Sequence, residues 1–312
     1  MSGFLRTVFS KSAPAPGVTR IAESPAAISY ALASFRWHMD TRPPAKFIAI
    51  HDYLGSCASW QQLLNEAVAD LPLSRLTPTE PLEVYCADLR GHNFSEAAPM
   101  TSASSYLLAS AADIIKMQED ILHSEGGLLG MGFGSLVALC TALHAPDAFS
   151  SLTLFVKDIS QLQRCTPFSY PVGELLRNAP VNATGLEGLN RYLEDKVPDP
   201  AERAALLAAA EVRRSRARFR YSEDLLQYAE PLELSAPSDS KFIKPTVVYL
   251  CGKDAYCSPE EEATLRARLP AVKVLKLDTQ GESLMSRKPS IASLFLQSCG
   301  MLGEINETAT MQ

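Results

Sequence analysis

Residues 128–143 read L-L-G-M-G-F-G-S-L-V-A-L-C-T-A-L, an apolar run that breaks on alternating glycines and resumes with small residues at helical spacing. A strand that turns at once into a helix forces its corner residue into a strained backbone, and such corners carry the pattern G-x-nucleophile-x-G. Here the five positions are Gly130-Met131-Gly132-Phe133-Gly134, so the corner residue is Gly132. Attack on a substrate carbonyl needs an oxygen, sulfur or carboxylate at that corner, and glycine has none. The sequence therefore predicts the scaffold of a nucleophilic enzyme without its reactive atom.

The surrounding pattern alternates strands with helices. Apolar runs at Lys46–His51, Leu82–Ala87, Ser151–Val156, Thr246–Cys251 and Val272–Leu277 predict buried strands. Between them, helical spacing covers Ser56–Leu71, Ser104–His123, Pro259–Leu269 and Ser290–Met301, and Ala26–Trp37 suggests an N-terminal strand pair. That order predicts an α/β fold with a doubly wound, mostly parallel sheet over 26–312. An insertion of about 160–244 reads as helices and loops, one helix opening at Asp199-Pro200 as N-cap and first residue. Inserted between strands, it is placed as a lid over the strands' carboxyl ends.

Composition narrows the function classes. A net charge of −6 argues against a chain devoted mainly to nucleic acid, although it leaves room for a local basic patch. No apolar run is long enough to span a bilayer. The seven cysteines have no CxxC spacing and read as buried thiols. Residues 1–22 carry Arg6, Lys11 and Arg20 and no acid, with Phe4, Leu5, Val8 and Phe9 able to share a helical face. Residues 1–25 are thus expected to be a mitochondrial transit peptide or an N-terminal extension.

Four landmarks follow in a telling order: His51-Asp52-Tyr53-Leu54-Gly55-Ser56, then Asp88-Leu89-Arg90-Gly91-His92-Asn93-Phe94-Ser95, then Gly130–Gly134, then Lys157-Asp158-Ile159-Ser160. They resemble the H-G-L-x-G-S, D-x-R-G-H-G-x-S, elbow and V-D-I-S-P segments of α/β-hydrolases. With Ile28-Ser29-Tyr30 they are similar to the mitochondrial α/β-hydrolase domain-containing protein 11 type and related bacterial esterases. The resemblance implies an α/β-hydrolase fold with a helical lid. It also implies a serine at position 132, an acid at Asp158, a histidine at position 282, and oxyanion donors in the N–H groups of Tyr53 and Phe133.

This chain departs from that pattern at two of the three catalytic roles. Gly132 replaces the nucleophile and Glu282 the histidine. The base in this fold follows the acid, yet the histidines are 38, 51, 92, 123 and 144, so none lies where it could serve. Ser135 falls on the helix beyond the corner and is no substitute. Asp52 stands where the loop motif has glycine, beside the site that would hold a negative oxygen. If Asp52, Asp158 and Glu282 share a pocket, the simpler expectation sends them to solvent or to arginines. The alternatives are a hard-cation site or water-based hydrolysis with Glu282 as base.

The expected function is that of a pseudoenzyme, a structural or assembly subunit of a larger mitochondrial complex needing no cofactor or metal. Two alternatives stand beside it: an acyl, lipid or small-molecule binder that keeps the pocket, and a weak hydrolase using Glu282 and Asp158. The densest charged segment is Glu211–Tyr221, with Arg213, Arg214, Arg216, Arg218 and Arg220. Read as a lid helix, it places Arg213, Arg216 and Arg220 on one face and Arg214 and Arg218 on another. It is either a solvated surface or an anchor for phosphate, RNA or an acidic protein surface. Asp254 in Gly252-Lys253-Asp254 reads as a turn residue, and Trp37 and Trp60 as core or rim aromatics.

Overall fold

The computed structural model describes residues 21, 23–36, 41–69, 80–97, 105–165, 172–180, 183–198, 200–208, 210–221, 225, 232–251, 257–277 and 288–299. Its centre is a seven-stranded sheet of β1 (Tyr30–Phe35), β2 (Ala45–Ile50), β3 (Leu82–Ala87), β4 (Gly126–Met131), β5 (Phe149–Val156), β10 (Thr246–Leu250) and β11 (Val272–Lys276). The order is β1-β3-β2-β4-β5-β10-β11, with β1 antiparallel to β3 and every other neighbour parallel. Ala26–Trp37 therefore supplies one strand to the sheet's edge and not a pair of its own; Trp37 lies outside the described residues.

Helices cover both faces. α2 (Tyr106–Met117) and α3 (Phe133–His144) pack in one apolar cluster, α1 (Cys57–Ala69) and α8 (Lys288–Ser298) in the other, and α7 (Pro259–Arg268) links β10 to β11. Every residue of α3 is buried, which its small, apolar sequence permits on all sides. A parallel strand needs the same on both faces, and β4 is buried throughout. Trp60 is fully buried in the second cluster. The helix expected to run to His123 changes character after Met117 into a π turn, Gln118–Leu122, that ends on His123 at φ 52°.

The insertion is less helical than its sequence suggests. It holds α4 (Val172–Arg177), α5 (Gly185–Glu194) and α6 (Pro200–Ala208), a short ladder of β6 (Arg164–Cys165) with β9 (Leu232–Glu233), and a hairpin. That hairpin pairs β7 (Ala210–Arg213) with β8 (Arg216–Phe219) and replaces the expected arginine helix. The pattern Arg216-Ala217-Arg218-Phe219-Arg220 alternates polar and apolar, which is strand periodicity. Ala217 is buried on α5's side while Arg216 and Arg218 are exposed. Arg214 and Ser215 form the turn at φ 49° and 65°, the left-handed pair that a two-residue hairpin demands. Asp199 lies outside the described residues; Pro200 is the first residue of α6, as expected.

Candidate functional site

The corner between β4 and α3 has the strained geometry that the motif implies. Gly132 sits at φ 56°, ψ −121°, and its N–H is held by Phe155 O at 2.8 Å. Gly134 lets the first turn of α3 lie against the end of β2, because a Cβ there would collide with the carbonyls of Ile50 and His51. Ser135 is turned the other way, fully buried and donating to Phe155 O at 3.0 Å.

The space in front of the corner is occupied by the protein itself. Oδ1 of Asp52 accepts the N–H of Tyr53 at 2.8 Å and the N–H of Phe133 at 2.7 Å. These are the two donors that the resemblance to α/β-hydrolases assigns to an oxyanion, and 2.7–3.1 Å is the distance at which such donors act. A Cβ on Gly132 would collide with the Asp52 carboxylate. Oδ1 of Asp52 therefore serves two backbone N–H groups, partners that the expectation of solvent or an arginine did not include. Phe133 opens α3, whose unpaired N-terminal N–H groups attract a negative oxygen. Asp52 adjoins Tyr53 in sequence, its backbone fixed by Gly55 N and the His51 ring on its carbonyl at 2.8 and 2.6 Å.

Two buried histidines fasten the loops that carry this arrangement. Leu89 N donates to Nε2 of His51 at 3.0 Å, and Leu54 N donates to Nε2 of His92 at 3.2 Å. Each ring thus accepts from the other's loop, with ring centroids 4.9 Å apart. A backbone N–H only donates, so both Nε2 atoms are unprotonated and each neutral ring carries its proton on Nδ1, facing Asp52 O and Arg90 O. Burial holds His51 below the usual imidazole range against the pull of Asp88. Burial and the neighbouring His51 hold His92 well below it.

A depressed imidazole contributes stability above its unfolded value, near 6.5, that is lost as the pH falls. Two such rings are expected to lower the stability between pH 6.5 and 5.5, by at most about 2 kcal/mol. Urea unfolding of the wild type and of His92→Gln at both pH values checks this. A wild-type slope no steeper than the variant's would mean that the rings are not held neutral.

The buried polar residues of the D-x-R-G-H-N-x-S loop are taken up in internal bonds. Asp88 accepts from Cys57 N at 2.7 Å, Ser29 Oγ at 2.8 Å and Asn93 Nδ2 at 3.1 Å. Ser95 Oγ returns to Asp88 O, and Arg90 is buried against Asp113.

Beside the corner, rings pack against one another. Tyr53 packs edge-on to His92, Tyr106 and Phe133, and Phe133 stacks on Tyr106. The insertion closes over them, with Tyr53 Oη on Leu225 O at 2.8 Å and Tyr221 Oη on Leu54 O at 2.7 Å. Asp158 follows β5 as expected, half-buried, with Ser160 Oγ on its carboxylate. Cys165 lies within the field of both Asp52 and Asp158. Burial, aided by those two charges, pushes its thiol up to about 12, so it does not offer a thiolate.

Glu282 and Asp254 lie outside the described residues, so the pocket of three acids is placed only for Asp52 and Asp158. Among the described residues no group of three or more His, Cys, Asp or Glu is arranged to hold a metal ion. No helix among them is long and apolar enough to cross a membrane.

No family model and no curated protein sequence matches the chain. Solved structures do. A marine microorganism esterase is similar at TM-score 0.61 and 15% identity, over 86% of this chain and 97% of its own. An alpha/beta hydrolase from Novosphingobium aromaticivorans is similar at 0.58 and 13%, over 96% and 99%. The bottromycin epimerase BotH is similar at 0.53 and 16%, over 96% and 99%. Identities this low speak for architecture and not for chemistry: the chain has the α/β-hydrolase fold.

Proposed function

We propose that this protein is a catalytically inactive α/β-hydrolase-like chain, a degenerate relative of the mitochondrial α/β-hydrolase domain-containing protein 11 type, acting as a structural subunit of a mitochondrial assembly. One observation carries the reading: a single oxygen of Asp52 takes both N–H groups of the would-be oxyanion hole, over a corner residue without a side chain. Acyl transfer needs that hole empty for the developing oxyanion and needs a nucleophile in front of it. The rings packed beside the corner favour a scaffold over an acyl or lipid binder, whose pocket would have to be open. The basic, acid-free residues 1–22 support the mitochondrial location.

The test uses tagged protein isolated from the mitochondrial fraction of its own cell. It should arrive in a particle larger than the free chain, leave a fluorophosphonate probe unreacted, and hydrolyse p-nitrophenyl butyrate no faster than buffer. Covalent labelling, or turnover that disappears on changing Asp158 or Glu282, would overturn the reading in favour of a residual hydrolase.

A further inference from the structure

The hairpin turns two expected arginine faces into one. Glu211 pairs with Arg218 and Arg213 with Arg216 across the ladder, and cross-strand partners share a face. Arg213, Arg216, Arg218 and Arg220 therefore project together around Glu211. Arg213, Arg218 and Arg220 each form an ion pair with that one carboxylate. Their hydrogen bonds, that of Arg220 foremost, hold it down to about 2, so it stays ionised and fixes three guanidinium groups in place. Arg216 and Arg214 are exposed at the tip and form no ion pair among the described residues.

The platform beneath is rigid. The outer edge of β8 is fastened to residues 183–185 through Ala217 N on Ala183 O and Gly185 N on Ser215 O, both 3.0 Å. At the end of the row stands an aromatic. Phe94 is 50% exposed, and the Arg220 guanidinium lies 3.9 Å over its ring.

We propose that this face binds single-stranded nucleic acid, its guanidinium groups on phosphates and Phe94 against a base. Arg216, Arg218 and Arg220 recur at every second residue, about 6.6 Å apart along the strand. Their planar forks suit phosphate oxygens better than lysine would. An acidic protein segment would find the same charges but no use for a half-exposed ring capped by a guanidinium. A base stacks on such a step, as on the sheet surfaces that bind single strands. Nothing in this proposal involves Gly132 or Asp52, so it stands or falls separately from the pseudoenzyme reading.

The test is fluorescence anisotropy of a labelled 20-nucleotide oligouridylate with the full chain. Three or four neutralised phosphates predict that log K falls with log salt at a slope of about −2 to −3. Reversing Arg213, Arg216 and Arg218 to glutamate, all outward-facing, should weaken binding at least tenfold in protein whose circular dichroism shows it folded, although two of the three ion pairs of Glu211 go with them. Should that triple variant unfold, Arg216→Gln alone, at a residue without an ion pair among the described residues, should flatten the slope by about 0.7. Phe94→Ala should weaken binding about tenfold without altering the slope, since stacking is not a counterion effect. No binding, or binding that ignores Phe94→Ala and is displaced by polyglutamate at equal charge, overturns the proposal; the latter would make the face an acidic-protein surface.

Discussion

Replacing Arg90 by alanine is expected to destabilise the fold by about 3–5 kcal/mol, because it strands a buried carboxylate. Arg90 is 2% exposed and meets Asp113, itself fully buried, through two bonds: Nε to Oδ2 at 2.8 Å and Nη2 to Oδ1 at 2.6 Å. The same guanidinium reaches Ser24 O and Ala109 O, and Asp113 also accepts the N–H of Ala26 at 2.6 Å. One side chain thus pins the entry of the chain, the loop after β3 and helix α2 together.

Burial raises the Asp113 carboxyl to about 6 even with Arg90 beside it, and removing Arg90 raises it further. A raised carboxyl contributes stability below its unfolded value that is lost as the pH climbs through its folded one. The penalty of Arg90→Ala should therefore be larger at pH 8 than at pH 6, where Asp113 takes up a proton. Urea midpoints for both proteins at the two pH values check this. A penalty independent of pH would mean that Asp113 is not the group left uncompensated.

The parts of this molecule that sequence reveals are those dictated by local chemistry. The strands Leu82–Ala87 and Thr246–Leu250 are apolar runs too short for helices, and a parallel sheet is where such runs are buried on both faces. The corner glycines follow from steric limits that hold in any context. Two features escaped. Arginines at 213, 216 and 220 fit a helical face as well as a hairpin, and the turn that decides between them uses Arg214 and Ser215 without glycine or asparagine. The alternation from Arg216 to Arg220 was the available signal.

Asp52 is a misfit in the oxyanion loop by sequence alone, yet its destination depends on where α3 points its first N–H, 81 residues away in sequence. What could have located it is the pairing of two departures: a carboxylate gained at 52 and a side chain lost at 132. Each makes room for or fills what the other changes.

That pairing sets the second large effect. Gly132→Ala alone should destabilise by about 3–5 kcal/mol: roughly 1–3 for a side chain held at positive φ, and about 2 more for driving the carboxylate off two N–H groups. Asp52→Ala alone should cost about 1–2 kcal/mol, the loss of a charged partner at the start of α3. In the double variant the methyl group has room, and the carboxylate's bonds are lost only once. Its cost should fall short of the summed single costs by about 2 kcal/mol, the coupling expected of side chains that exclude one another. Urea denaturation of the four proteins closes the cycle, and additivity within about 0.5 kcal/mol would show that the carboxylate does not occupy the space before the corner. The same collision bears on chemistry. A serine at 132 would push its Cβ into Asp52, so Gly132→Ser is expected to remain inert towards fluorophosphonate even with Glu282→His added. A nucleophile at this corner and a carboxylate in this hole are alternatives, and the chain has adopted the carboxylate.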